Sequence, residues 1–315
     1  MGLHRFALAT AAMAFLLIIA GGLVTSTGSG LSVPDWPLSF GTLMPPMQGG
    51  VVYEHSHRMV ATLVGILSVI LAVWLWRRDE RRGVKILGLV TLGAVVVQGV
   101  LGGMTVLLKL PVPVSVAHAT LAQSVFSLTV VLALLTSPKW RKGIGDGGEA
   151  HPGTRRFALL MSCLILLQLV LGAWMRHSNA GTAIPDFPLS YGSIVPPLGD
   201  EEIAVLNGVR EQANLMPVTG GQVAVNFAHR VGALCVLLMT IILAVHTLRR
   251  YPVQGRLREP VIVLPLLVLF QVLLGALAVW TGKGVEVTTG HVATGSLILA
   301  TSVVFAVQAF RRGTN

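Results

Sequence analysis

Charge is what this chain has least of. Only 11% of its 315 residues are Asp, Glu, Lys or Arg, against about 25% in an ordinary soluble domain. Acids are the scarcer sign, 13 against 23 bases, which leaves a net charge of +10. An apolar share of 53% and a mean hydropathy of +0.76 exclude disorder. A basic balance ordinarily raises the question of nucleic acid. Here the cations punctuate long apolar runs, so nucleic acid is excluded as a partner and a polytopic membrane protein is indicated. Cysteine is nearly absent. Cys163 and Cys235 cannot build a disulfide framework or a thiolate cluster. Both stand in apolar runs, where they are expected as small buried hydrophobes. No H-E-x-x-H pattern occurs, which argues against a zinc hydrolase.

A bilayer crossing takes ~20 apolar residues. Eight segments meet or approach that length: about 6–24, 57–76, 84–108, 114–136, 157–176, 228–248, 260–281 and 287–310. With the N-terminus in the cytoplasm, 17 of the 23 cations fall inside: Arg5, Arg77, Arg78, Arg81, Arg82, Lys85, Lys139, Arg141, Lys142, Arg155, Arg156, Arg249, Arg250, Arg256, Arg258, Arg311 and Arg312. Only Arg58, Lys109, Arg176, Arg210, Arg230 and Lys283 fall outside. The positive-inside rule therefore sets both termini in the cytoplasm. Arg5 ahead of the first run could mark a signal peptide, but a run of 19 residues outlasts the usual ~7–15-residue signal core, so a retained helix is expected. No transit peptide precedes it, which points to a bacterial plasma (inner) membrane.

The chain repeats. Pro34, Asp35, Pro37, Gly41, Pro45 and Pro46 recur 151 positions later as Pro185, Asp186, Pro188, Gly192, Pro196 and Pro197. His57-Arg58 recurs as His229-Arg230 at an offset of 172, and Gln98, Gly102 and His118 recur as Gln271, Gly275 and His291 at 173. The second outer loop is thus about 21 residues longer, and its insertion around 199–224 could hold a short surface helix. The expected fold is all-α, with eight transmembrane helices as two tandem pseudo-symmetric four-helix bundles. The N-terminal half covers 1–137, a glycine-rich cytoplasmic linker 138–156, and the C-terminal half 157–315.

Four of the nine histidines belong to the repeat: His57, His118, His229 and His291. Each falls at the outer end of an even-numbered span, two per half. Two imidazoles facing each other across a four-helix unit could clamp a haem iron from both sides. The residues sharing their faces are small: Ala61, Val64, Gly65 and Ser68 with His57, Ala122 and Val125 with His118. Small residues also permit plain close packing. His4, His55, His151, His177 and His246 are not expected as ligands; His177 is read as opening the second outer loop.

The halves differ beside the histidines. Glu54 stands one turn before His57, where the second half has Asn226. A carboxylate there can shuttle protons or act as a general base, which an amide cannot; it could also cap the helix start. The contrast suggests chemistry in the first half and an electron-transfer cofactor in the second. Arg58 and Arg230 suit carboxylate pairing with haem propionates, or anchoring at headgroups. Gln98 and Gln271 are expected to bond across helices rather than to touch a ligand. Trp36 and Phe187, in the repeated PD[WF]PLS[FY]G loop, either lie at the interface or roof the cofactor.

With Glu54–Arg58 reading E-x-x-H-R and the four helix-end histidines in place, nearly the whole chain resembles the Cox15/CtaA family of haem A synthases. That resemblance implies oxidation of a methyl group of haem O to a formyl group, giving haem A for terminal oxidases. It implies His57 and His118 as ligands of the substrate haem, Glu54 as catalytic, and His229 and His291 as ligands of a resident haem b. It also implies haem O synthase, cytochrome oxidase assembly components and an electron-transfer partner as neighbours in the membrane lipid; homo-oligomerisation stays open. Many bacterial relatives carry a cysteine pair in the first outer loop, and residues 28–54 contain none. Two rival readings use the same histidines: a di-haem cytochrome b that only carries electrons, and a repeat-built proton-coupled transporter.

Overall fold

The computed structural model describes residues 1–143, 149–251 and 255–311. Part of the proposed linker (144–148) and Arg312 therefore lie outside the described residues. The described chain is all-helical. Its helices are α1 (Gly2–Ser26), α2 (Gly50–Arg78), α3 (Arg82–Leu107), α4 (Val112–Thr136), the short α5 (Pro138–Arg141), α6 (Pro152–His177), α7 (Asp200–Gln212), α8 (Gly220–Arg250), α9 (Arg258–Trp280) and α10 (Val285–Ala309). All but α5 and α7 are long and apolar enough to cross a membrane, which makes eight candidate spans of 23–31 residues. At ~1.5 Å per residue they run about 35–46 Å, beyond the ~30 Å hydrocarbon core.

Two helices start earlier than their apolar runs. α2 begins at Gly50 and α8 at Gly220. The added turns carry Glu54, His55 and Asn226, which lower the hydropathy yet are buried. A Thr219–Gln222 capping box sets the start of α8. α7 is the surface helix expected in the longer loop, and its Ile203 and Leu206 pack with Ala183, Ile184, Val218 and Val223.

Helix neighbours form two rings in the same order. α1, α2, α3 and α4 touch in sequence, and α4 closes back on α1; α6, α8, α9 and α10 do likewise, with α10 closing on α6. The rings meet through α1–α10, α4–α10 and α4–α6, so α4 and α10 are the most buried spans. Large side chains fill each ring at the end remote from the repeated histidines: Leu71, Leu75 and Leu132 in the first, Met161, Leu243, Leu264 and Phe305 in the second. The histidine end is lined by smaller groups.

Cys163 and Cys235 are exposed rather than buried. They lie on the flanks of α6 and α8 turned away from the ring, so the apolar surroundings legible in the sequence are outside the bundle, where lipid would be. His177 is the last residue of α6, not the first of the loop.

Candidate functional site

Each repeated histidine sits about two turns into its helix and rests on a glycine of the preceding span. A Cβ added at Gly21 of α1 would stand 3.1 Å from Cε1 of His57, and one at Gly102 of α3 would stand 3.1 Å from Cε1 of His118. Gly172 of α6 gives 2.8 Å to His229, and Gly275 of α9 gives 3.3 Å to His291. Any side chain at these positions would push the imidazole away, so the glycines set where the rings stand. Four residues before three of these glycines comes a glutamine, in QGVLG (98–102), QLVLG (168–172) and QVLLG (271–275). Gln98 Nε2 donates to the His118 carbonyl at 3.0 Å and lies 3.1 Å from Nδ1. Gln168 Nε2 does the same for His229, at 2.8 and 3.0 Å. Gln271 Nε2 reaches the His291 carbonyl at 2.9 Å. The first seat reads LIIAG, with Leu17 in place of glutamine, and Nδ1 of His57 has no partner. Gln98 and Gln271 thus bond across helices as expected. Gln168 escaped the repeat comparison because its counterpart at an offset of 151 is Leu17.

Above each pair lies the PD[WF]PLS[FY]G loop. Asp35 accepts from the N–H groups of Phe40 (2.7 Å) and Gly41 (2.8 Å), and Asp186 from those of Tyr191 (2.7 Å) and Gly192 (2.9 Å). Gly41 and Gly192 stand at φ +70° and +75°, a backbone that glycine adopts without steric cost. The N–H groups of Gly41 and Phe40 hold the exposed Asp35 carboxyl below its ordinary range. Partial burial works against the charge on Asp186, but the bonds from Gly192 and Tyr191 outweigh it, and its value also falls.

The repeated arginines clasp these loops. Arg58 Nη1 donates to the carbonyls of Asp35 and Leu38, both at 2.7 Å, and Nη2 to Val33 at 3.2 Å and to Glu54 Oε1 at 2.6 Å. Arg230 Nη1 donates to Asp186 (2.7 Å) and Leu189 (2.8 Å), and Nη2 to Ile184 (3.0 Å). A guanidinium has five N–H donors, so Arg58 keeps only Nε–H for any further acceptor. Glu54 is not a cap: it is a full turn inside α2, with Oε2 taking the Val33 N–H at 2.9 Å. Asn226 instead donates to the Ala180 carbonyl at 2.8 Å, and its Oδ1 is unpartnered. Trp36 lies on Gly103, where a Cβ would meet its indole at 2.7 Å, next to the glycine under His118. Phe187 stacks edge-on with Trp280 at 6.1 Å and carries Arg230 over its ring.

Four of the other five histidines have structural partners. His55 Nδ1 meets Ser39 Oγ at 2.9 Å, His4 Nδ1 meets the Ala133 carbonyl at 3.0 Å, and His246 meets Thr154 at 3.0 Å. His151 caps α6 through Gly153.

Does this donor set fit a haem? The rings of His229 and His291 stand 6.4 Å apart, centre to centre. A metal held at roughly 2 Å from one nitrogen of each ring sets two imidazole centres about 6 Å apart. His57 and His118 rest on equivalent glycine seats in α1 and α3. Buried polar atoms without partners are rare, and Nδ1 of His57, Nδ1 of His291, and Oε1 of Gln98 and Gln271 collect here. Among the described residues, no three His, Cys, Asp or Glu side chains gather to hold a bare metal ion. Imidazoles in pairs suit a metal whose remaining ligands come from a macrocycle. The residues present fit the group.

Eight helices long and apolar enough to cross a membrane, among the described residues, mark a multi-pass membrane protein, here with two imidazole pairs on glycine seats. More particularly, residues 4–303 match the COX15-CtaA family, described as cytochrome oxidase assembly protein, and the chain belongs to that family. Similar proteins include a heme A synthase of Symbiobacterium thermophilum, 32% identical over 76% of this chain and 73% of its own. Those of Halalkalibacterium halodurans and Geobacillus kaustophilus are each 28% identical, over 91% and 92% of this chain and 90% and 86% of theirs.

Proposed function

We propose that this chain is a haem A synthase, a membrane oxidoreductase that converts a methyl group of haem O to a formyl group. The observation that carries the reading is the paired imidazoles on glycine seats in a chain of this family. Residues 1–137 and 157–315 act as two pseudo-symmetric four-helix bundles joined by the linker 138–156. Both termini face the cytoplasm of a bacterial cell, on the charge distribution, and the histidine end faces outward.

Haem O is the substrate of the first half, between His57 and His118. His229 and His291 hold a resident haem b in the second, and that group supplies one-electron transfer when bound. With water as the oxygen donor, conversion of CH3 to CHO takes up one oxygen atom and releases four protons and four electrons overall: two C–H bonds become C–OH, the resulting diol loses water, and the electrons leave to the electron-transfer partner. The protons released need an acceptor. The Glu54 carboxylate lies one turn from His57 and is charged against Arg58, which positions it as the base. Asn226 can take no proton, so that chemistry belongs to the first half. The arginines hold the loops that close the outer face over each pair, and Arg58 keeps its Nε–H for a propionate. The electron partner, haem O synthase and the oxidase assembly components meet the protein within the membrane.

Haem extraction from membranes that co-express this chain with a haem O synthase tests the reading. Formyl haem is expected, and Glu54→Gln should lower its yield at least tenfold with unchanged haem b content. No formyl haem from the folded wild-type chain would overturn the assignment.

A further inference from the structure

Among the described residues, Arg176 is the partly buried cation at the histidine end that neither loops nor acids account for. It is partly buried at the end of α6, and among the described residues no carboxylate pairs with it. Its Nη2 donates to Ser26 Oγ at 2.8 Å and reaches the Gly22 carbonyl at 3.4 Å, both on α1. Ser26 is itself bonded to Thr288 (2.9 Å) and Thr289 (3.2 Å) of α10. The guanidinium thus stands where α1, α6 and α10 meet, with most of its five donors unspent. A desolvated cation without a counter-charge is costly, so this place is built for an anion.

The position says which anion. Gln168, Gly172 and Arg176 are spaced by four, which puts them in one stripe of α6. Gln168 bonds His229 and Gly172 seats its ring. Arg176 follows one turn further toward the helix end, and Ser26, which it bonds, joins Thr288 and Thr289 on α10, the helix of His291. A haem between those two imidazoles brings two propionates, and a guanidinium takes a carboxylate through two parallel N–H bonds. Arg230 spends three donors on loop carbonyls. The first half has Thr25 at the matching place, so the device belongs to the second half alone.

We propose that Arg176 is the propionate-binding residue of the haem held by His229 and His291. This rests on the reading of that pair as a haem site. The rival role is structural: the guanidinium would merely satisfy the last carbonyls of α1, where a cation is favoured.

The test compares haem b with its dimethyl ester, which has no carboxylates, in full-length protein made in haem-deficient cells and reconstituted in detergent. Binding is read by the absorption of the bis-imidazole species, and the midpoint potential of the haem b form is measured alongside. Wild-type protein should bind the diacid about ten- to a hundredfold more tightly than the diester. Arg176→Gln, which keeps a donor for Ser26, should bind both alike and shift the potential downward. Arg176→Lys keeps the charge without the fork and should fall between. If Arg176→Gln discriminates as the wild type does, or if the wild type binds diacid and diester alike, the proposal fails while the haem site stands. If the wild type binds neither, the haem reading fails and the proposal with it.

Discussion

In the first half, His57 has a carboxylate one turn away and no amide behind it: Glu54 is paired with Arg58, and Leu17 stands where a glutamine could be. In the second half the terms are exchanged. Asn226 replaces the acid, Gln168 bonds His229, and Arg176 ends the same stripe of α6, bonded to Ser26 of α1. The seats themselves are the same, a glycine under each ring. A duplicated scaffold has thus kept its means of placing imidazoles and varied what surrounds them. Each half pairs one ring held by an amide with one that is not, His118 with His57 in the first and His229 with His291 in the second, so the sharper difference between them is the acid, Glu54 against Asn226.

The sharpest way to break that comparison is to remove one pair. His229→Ala or His291→Ala should abolish the resident haem signal in a reduced-minus-oxidised spectrum of purified protein. His57→Ala should leave that signal nearly intact and stop formyl haem formation. Equal loss of resident haem from both sets of variants would mean that the halves are not specialised.

The glycine seats give a smaller, graded effect. Gly172→Ala puts a methyl 2.8 Å from the His229 ring, closer than real contacts allow, while Gly275→Ala leaves 3.3 Å to His291. Overpacking of this kind costs about 1–3 kcal/mol. Haem retention on dilution should therefore fall most in Gly172→Ala and less in Gly275→Ala. Gly83→Ala, at the opposite end of α3 from the histidines, whose Cβ meets nothing within 4 Å, should change nothing. If Gly172→Ala retained haem as the wild type does, the seats would not govern ring position.

Much of this was legible beforehand, and what was not has physical reasons. Spans declare themselves by apolar length, and the four histidines by their common offsets, because both are properties of residue type. Arg58 and Arg230 read as anion binders or headgroup anchors; that both also clasp loop carbonyls, and that Arg58 pairs with Glu54, was hidden because every residue carries a carbonyl and no sequence advertises it. The early starts of α2 and α8 were hidden by Glu54, His55 and Asn226, polar residues that a helix end buries when loop groups satisfy them. Gln168 lacked a repeat partner. Gly21 and Gly172 lay unnoticed among apolar neighbours, since a glycine's role is the ring it lets in.

The outer loops offer the finest contrast. Both are braced by an aspartate that accepts two backbone N–H groups, but only the second is covered by α7. There the buried Arg210 bonds Tyr191 Oη at 3.1 Å, and Tyr191 donates to the Ala183 carbonyl. The first loop has Phe40 at that place, 51% exposed. Each aspartate has a folded pKa below its unfolded value. Its contribution is therefore fully present above the ordinary carboxylate range, and is lost as pH falls through the depressed value. Clasped by Arg58 but not covered by α7, the first loop should loosen in acid below about pH 4, read as a shift in Trp36 fluorescence. The amide signals of Tyr191 and Gly192 should persist at the same pH. Asp35→Asn, which offers one acceptor oxygen for two donors, should loosen the first loop at neutral pH and flatten its acid response. Asp186→Asn should disturb the second loop less, because Arg210 and Tyr191 still hold it. An equal response from the two variants would show that α7 does not brace the second loop.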